Sequence, residues 1–234
     1  MTREGPKQLA FDLPLDPKFG REDFLVSPSN DAAYGFIERW PDWPDVILLL
    51  TGPPGSGKSH LASIWATTAR AWTVDAFEVT RDKVPHLVSN GALVIEDTDR
   101  SDRDEAALFH LLNLARERKA SVLMTCETPP DRWGLRVPDL LSRLRLAPGV
   151  SLDAPDDALL KAVLVKLFVD RQLVVDTTVV DYIALRIERS LARAAEVVAA
   201  LDKEALSRGR RISRPIAAMV LDADRTESEN RDDP

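Results

Sequence analysis

Gly52-Pro-Pro-Gly-Ser-Gly-Lys-Ser-His60 follows directly on the apolar run Val46-Ile-Leu-Leu-Leu-Thr51, and every other stretch is read from this one. Gly52, Pro53, Pro54, Gly55, Ser56, Gly57, Lys58 and Ser59 satisfy the pattern G-x-x-x-x-G-K-[ST] without exception. The glycines let backbone N–H groups turn inward around an anion, Lys58 neutralises β- and γ-phosphate oxygens, and the Ser59 hydroxyl is offered to Mg²⁺ at a helix N-terminus. The context suits that chemistry, with an apolar strand before the loop and a helical pattern after it. His60 opens that helix and joins the candidate nucleotide contacts.

A phosphate loop needs acids from a second strand. Ala92-Leu-Val-Ile-Glu96-Asp97 supplies them: Glu96 is expected to hold Mg²⁺ through water, and Asp97 to orient the attacking water. Aspartate is usual at the first of these positions, so Glu96 is a departure that lengthens the reach to the metal. Ser121-Val-Leu-Met-Thr125-Cys-Glu127 reads as the next strand, and either Thr125 or Glu127 is positioned to sense a γ-phosphate.

Short apolar runs alternate with helical patterns from about Phe24 onward: 46–51, 59–70, 72–75, 92–97, 104–119 and 121–125. This is the rhythm of a parallel sheet covered by helices on both faces. After Val150-Ser-Leu152 strand signals fade, and helical stretches at 157–171, 176–188 and 190–208 imply a small helical domain. Ser213 and Pro215 open a last short helix expected to end near Leu221. The organisation expected is a flexible arm over 1–22, an α/β domain over 23–154, a helical lid over 155–221 and a disordered acidic tail over 222–234.

With 234 residues, 44% of them hydrophobic, the chain can build a real core. A formal net charge of −7 disfavours a protein that coats nucleic acid, which needs excess Lys and Arg. The single cysteine, Cys126, excludes an internal disulfide, and three scattered histidines give no metal cluster. The first residues lack an apolar leader and no run is long enough to span a bilayer, so a cytoplasmic protein without membrane attachment is expected.

These stretches resemble AAA+ ATPases of the DnaA clade, and within it the truncated Hda regulators, over about Gln8 to Leu221. The resemblance implies a P-loop module with a five-stranded parallel sheet in the order 5-1-4-3-2, flanked by helices, and an α-helical lid. Phe24-Leu-Val-Ser-Pro-Ser-Asn30 is similar to the segment that cradles adenine, which makes Asn30 a nucleotide contact. Pro138-Asp-Leu-Leu-Ser-Arg143 resembles the segment carrying the arginine finger, a permanently charged planar group that reaches a neighbour's nucleotide. Arg189-Ser-Leu-Ala192-Arg193 resembles the sensor-2 helix. Ala192 stands where its arginine is expected, and Arg193 or Arg189 could substitute from the same face.

Near the N-terminus, Gln8-Leu9-Ala-Phe11-Asp-Leu13 is similar to the short motif that docks on the sliding clamp. Leu9, Phe11 and Leu13 would fill an apolar pocket while Gln8 bonds at its rim. Only a short helix and an acidic tail follow residue 208, so sequence-specific duplex binding is not expected. The resemblance thus implies a negative regulator of replication initiation that binds ADP or ATP with Mg²⁺. Its partners would be DnaA and the DNA polymerase III sliding clamp (beta subunit), its own ATPase weak, and self-association is left open. The alternatives are an autonomous replication ATPase or loader and a non-catalytic clamp-binding adaptor.

Overall fold

A computed structural model of the chain describes residues 19–209 and 211–229. The clamp-docking segment Gln8–Leu13 lies outside the described residues. The chain divides into two compact units, one comprising Phe19–Leu160 with Arg189–Ala192, the other Lys161–Glu188 with the described residues from Arg193 onward.

The first unit is built on five parallel strands: β1 (Ile47–Thr51), β2 (Trp72–Asp75), β3 (Ala92–Glu96), β4 (Ser121–Cys126) and β5 (Gly149–Ser151). They run in the order β2-β3-β4-β1-β5, the expected 5-1-4-3-2 order counted from the other edge. Side chains on a strand alternate between faces, so a sheet covered on both sides needs unbroken apolar runs. Accordingly Ile47 and Leu49 of β1 enter one core with Leu93, Ile95, Val122 and Met124. Leu48 and Leu50 enter the opposite core with Val94 and Leu123.

Helices α1 (Asp31–Glu38) and α2 (Lys58–Ala69) cover the second of these faces, and α3 (Val84–Ser89), α4 (Glu105–Arg118) and α5 (Pro138–Leu146) the first. In α4, Ala107, Leu108, Leu111, Leu112 and Ala115 form the buried stripe, and the Asp104 carboxylate caps the helix by accepting the Ala107 N–H at 3.0 Å. On the other face Trp65 of α2 stacks on Trp43 with ring centroids 5.1 Å apart and meets Trp40 edge-on at 6.1 Å. Helices α1 and α3 do not stand out in the sequence, because eight and six residues are too few to establish a helical period.

The second unit is helical. It contains most of α6 (Asp157–Asp170), α7 (Thr177–Ala184), most of α8 (Leu191–Arg208) and α9 (Arg214–Glu229). Asp176 caps α7 by accepting the Thr178 N–H at 2.8 Å, and α8 buries Ala194, Val197, Val198, Leu201 and Ala205. Helix α9 runs past Leu221, the expected end, into the acidic segment. Neither glycine nor proline stands between Ile216 and Glu229, so no residue there breaks the helix.

Candidate nucleotide site

All five strands point the same way, so their C-terminal ends and the loops after them gather at one edge, where open α/β sheets bind ligands. Strand β4 stands between β1 and β3. The loop after β1 and the acids ending β3 are therefore bridged by the end of β4.

The phosphate loop has the backbone its glycines permit. Gly55 and Gly57 have φ of +69° and +100°, in the left-handed region that side chains rarely adopt. A Cβ on Gly55 would also lie 2.0 Å from the Ser190 Oγ, and one on Gly52 would lie 2.7 Å from the Leu152 carbonyl oxygen. Segment 189–192 is fastened over this loop, with the Leu191 N–H donating to the Gly55 carbonyl at 2.7 Å. The Lys58 ammonium is buried and donates to the Gly52 and Pro53 carbonyls at 2.8 and 3.1 Å.

Helix α2 starts here without a side-chain cap, whereas α4 and α7 are each capped by an aspartate. The first N–H groups of a helix have no partner inside it, so an uncapped start beside a lysine suits a phosphate. The donor set thus fits a nucleotide. Ser59 and Glu96 suit Mg²⁺, an oxygen-seeking cation, because the Ser59 hydroxyl donates to the Glu96 Oε2 at 3.3 Å and brings both oxygens to one place.

Thr125 is the node of the acidic side. Fully buried, it donates its hydroxyl to Glu96 and accepts the Asp97 N–H at 3.0 Å, and its carbonyl accepts both the N–H and the hydroxyl of Thr98, at 2.9 and 2.8 Å. Burial pushes the Glu96 carboxyl above its ordinary range, the nearby Asp97 charge adds to this, and the Thr125 and Ser59 hydroxyls and Lys58 oppose it. Asp97 itself takes a left-handed φ of +54°, which turns the chain sharply as it leaves the sheet. Glu127 is exposed, and its N–H is held by the Asp99 carboxylate at 2.9 Å. On β4 the buried Cys126 thiol lies 3.4 Å from the Thr51 hydroxyl, and burial pushes its pKa up to about 11.

Other candidate residues have different surroundings. Asn30 is buried with both ends of its amide engaged by its own loop: Oδ1 accepts the Ser27 N–H at 2.8 Å and Nδ2 donates to the Leu25 carbonyl at 3.0 Å. That loop lies beside the phosphate loop, since the Ser29 carbonyl accepts the Asp153 N–H and Phe24 approaches Gly57. The His60 ring packs edge-on against Phe19 and Phe24, with Nε2 2.9 Å from the Gly20 carbonyl. Arg189 pairs with Asp157 at 2.9 Å, while Arg193, in the helical unit, pairs with Glu196 at 3.1 Å. Arg143, on α5, is exposed and shows no ion pair or hydrogen bond among the described residues.

Sequence reasoning passed over Asp99, Arg103 and Glu105, which organise the loops after β3 and β4. The Arg103 guanidinium is buried, with 3% of its side chain exposed, and donates to the carbonyls of Asp99 at 2.9 Å, Trp133 at 2.6 Å and Arg100. Each of the three also has a partner some thirty residues away, Glu127, Trp133 and Arg136 respectively, beyond any local pattern.

No family model matches the chain. The initiator protein DnaA of Clavibacter sepedonicus is 26% identical over 194 residues, covering 63% of this chain and 41% of that protein. DnaA of Cutibacterium acnes is 22% identical over 202 residues, covering 76% and 40% respectively. The chain thus spans about two fifths of the length of the curated relatives it matches. Among solved structures, domain III of Thermotoga maritima DnaA superposes with a TM-score of 0.73 at 18% identity, over 90% of this chain and 98% of that one. A DnaA bound to AMPPCP and single-stranded DNA gives 0.66 at 18% identity, over 83% and 69%. A single-residue mutant of Thermotoga maritima RuvB gives 0.69 at 17% identity, over 85% and 70%. No helix among the described residues is long and apolar enough to cross a membrane. The first unit has the P-loop α/β fold of DnaA domain III, and the chain is similar in sequence to DnaA proteins.

Proposed function

We propose that this chain is a cytoplasmic negative regulator of replication initiation that acts on a partner's nucleotide. It binds ADP or ATP with Mg²⁺ through Gly52 to Ser59, with Glu96 completing the metal site and Asn30 bracing the adenine side. Gln8, Leu9, Phe11 and Leu13 tether it to the sliding clamp. Arg143 reaches the ATP held by DnaA and promotes its hydrolysis.

One observation carries this reading. Arg143 is exposed and unpaired among the described residues, while Arg145, two positions on, is held by Asp131. A guanidinium in that state is available to a second molecule. A planar cation that meets a phosphoryl group during transfer stabilises the developing charge and is worth about 10³ or more in rate.

The test measures hydrolysis of DnaA-bound ATP with clamp loaded on DNA, comparing wild type with Arg143→Ala and with Gln8→Ala/Leu9→Ala. The reading expects stimulation by wild type and its loss in both variants. The contact between Ser59 and Glu96 favours a second reading, an autonomous ATPase with a working metal site of its own. Brisk turnover by this chain alone, with DnaA-bound ATP untouched, would establish that second reading instead.

A further inference from the structure

We infer that Asp99, Arg103 and Glu105 form a bracket that sets the position of α5, and with it Arg143, relative to the nucleotide-facing end of β4. This rests on the role proposed for Arg143. Asp99 and Arg103 lie on the turn between β3 and α4 and Glu105 opens α4, and each holds main chain from a different segment.

Asp99 Oδ2 accepts the N–H groups of Glu127 and Thr128 at 2.9 and 3.0 Å and the Thr128 hydroxyl at 3.3 Å, which pins the chain just beyond Thr125. The Thr128 carbonyl in turn accepts the Trp133 indole N–H at 2.6 Å. Arg103 bonds the Trp133 carbonyl on one side and the Asp99 carbonyl on the other, and its guanidinium lies 5.7 Å from the Trp133 ring centroid. Glu105 Oε2 accepts the N–H groups of Arg136 and Val137, both at 2.8 Å, at the entrance to α5.

Burying a guanidinium is costly unless its donors are met, and with the buried Nε left without a partner the Arg103 Nη groups depend on the carbonyls of both loops, so the side chain keeps this place only while both loops stay put. Helix α5 has no side-chain cap of its own at Val137, and its apolar contacts through Leu140 and Leu144 fix a face rather than an entry angle. Two N–H groups converging on one carboxylate oxygen fix that angle. Thr125 bonds Glu96, Asp99 pins the residues that follow Thr125, and Glu105 holds the entrance to α5, so hydrogen bonds and the short stretches of main chain between them link the acid ending β3 to α5. Asp99, Arg103 and Glu105 are positioning residues, since none of them touches a reacting atom.

The test uses the full chain with Glu105→Ala and the conservative Glu105→Gln, whose amide oxygen still accepts both N–H groups. Amide hydrogen exchange is followed without any partner. In Glu105→Ala, exchange at residues 139–146 is expected to rise about tenfold, as fits the loss of charge-assisted hydrogen bonds, while β1 and β4 keep their protection. ADP affinity stays at the wild-type value, stimulation of DnaA-bound ATP hydrolysis falls about tenfold, and Glu105→Gln recovers both exchange and stimulation. Unchanged exchange in 139–146, or an equal rise across β1 and β4, overturns the bracket. If Arg143→Ala leaves stimulation intact, the finger role fails, and the exchange result still decides the bracket.

Discussion

The phosphate-loop end and the α5 end of the first unit treat their charges in opposite ways. At the phosphate loop the cation and the first acid have internal partners: Lys58 bonds two loop carbonyls, and Glu96 is bonded by Thr125 and Ser59. On α5, Arg143 faces solvent without a partner among the described residues. A site built to hold a ligand can keep its charges paired until the ligand arrives, whereas a group that acts on another molecule must be presented outward. In the proposed function the contrast separates holding a nucleotide from acting on one.

The largest expected effect comes from the outward end. Arg143→Ala should lower stimulation of DnaA-bound ATP hydrolysis by about 10³ while leaving this chain's own nucleotide affinity unchanged, measured by single-turnover hydrolysis and by titration of fluorescent ADP. Equal loss of both would erase the distinction between the two ends.

Next comes the inward end. Lys58→Ala removes a charged hydrogen-bonding partner of the phosphates, worth roughly 1.5–3 kcal/mol, and should raise the dissociation constant for ADP about 100-fold. Gly55→Ala should do comparable harm. Adding Ser190→Ala should not rescue it, because the φ of +69° and the backbone of residue 190, 3.2 Å from the added carbon, both remain.

A smaller effect follows from Glu96. A carboxyl raised in the folded state binds protons more tightly there than in the unfolded chain, so it favours folding below its ordinary value of 4.5 and opposes folding as pH rises through the folded value. Glu96→Gln, measured without nucleotide or metal, should therefore raise the Tm at neutral pH, and the gain should shrink as pH is lowered. The same variant should weaken the Mg²⁺ dependence of nucleotide binding. A wild-type response would mean that Ser59 and the nucleotide hold the metal without this acid.

The smallest expected signal is a null one. Cys126, buried with a pKa pushed up to about 11, should react with a thiol reagent near pH 8 only after denaturation. Rapid reaction in the native protein would show that the end of β4 opens, contrary to the tight packing described for the inward site.

The sequence by itself determined the parts whose chemistry is local. An apolar strand, a glycine-rich turn and a lysine at a helix start lie within about a dozen consecutive residues, so the phosphate loop is legible in one glance. The strands are legible for a similar reason, since parallel strands buried on both faces need unbroken apolar runs such as Ile47–Leu50 and Ala92–Ile95. The tertiary structure alone decided which polar groups meet. Glu96 finds Thr125, Asp99 finds Glu127 and Thr128, and Glu105 finds Arg136 and Val137 only because β4 is inserted between β1 and β3. Such pairings join residues that are close in space and some thirty positions apart in the chain. No periodicity records them, because hydrogen bonds depend on where the folded backbone brings donor and acceptor together.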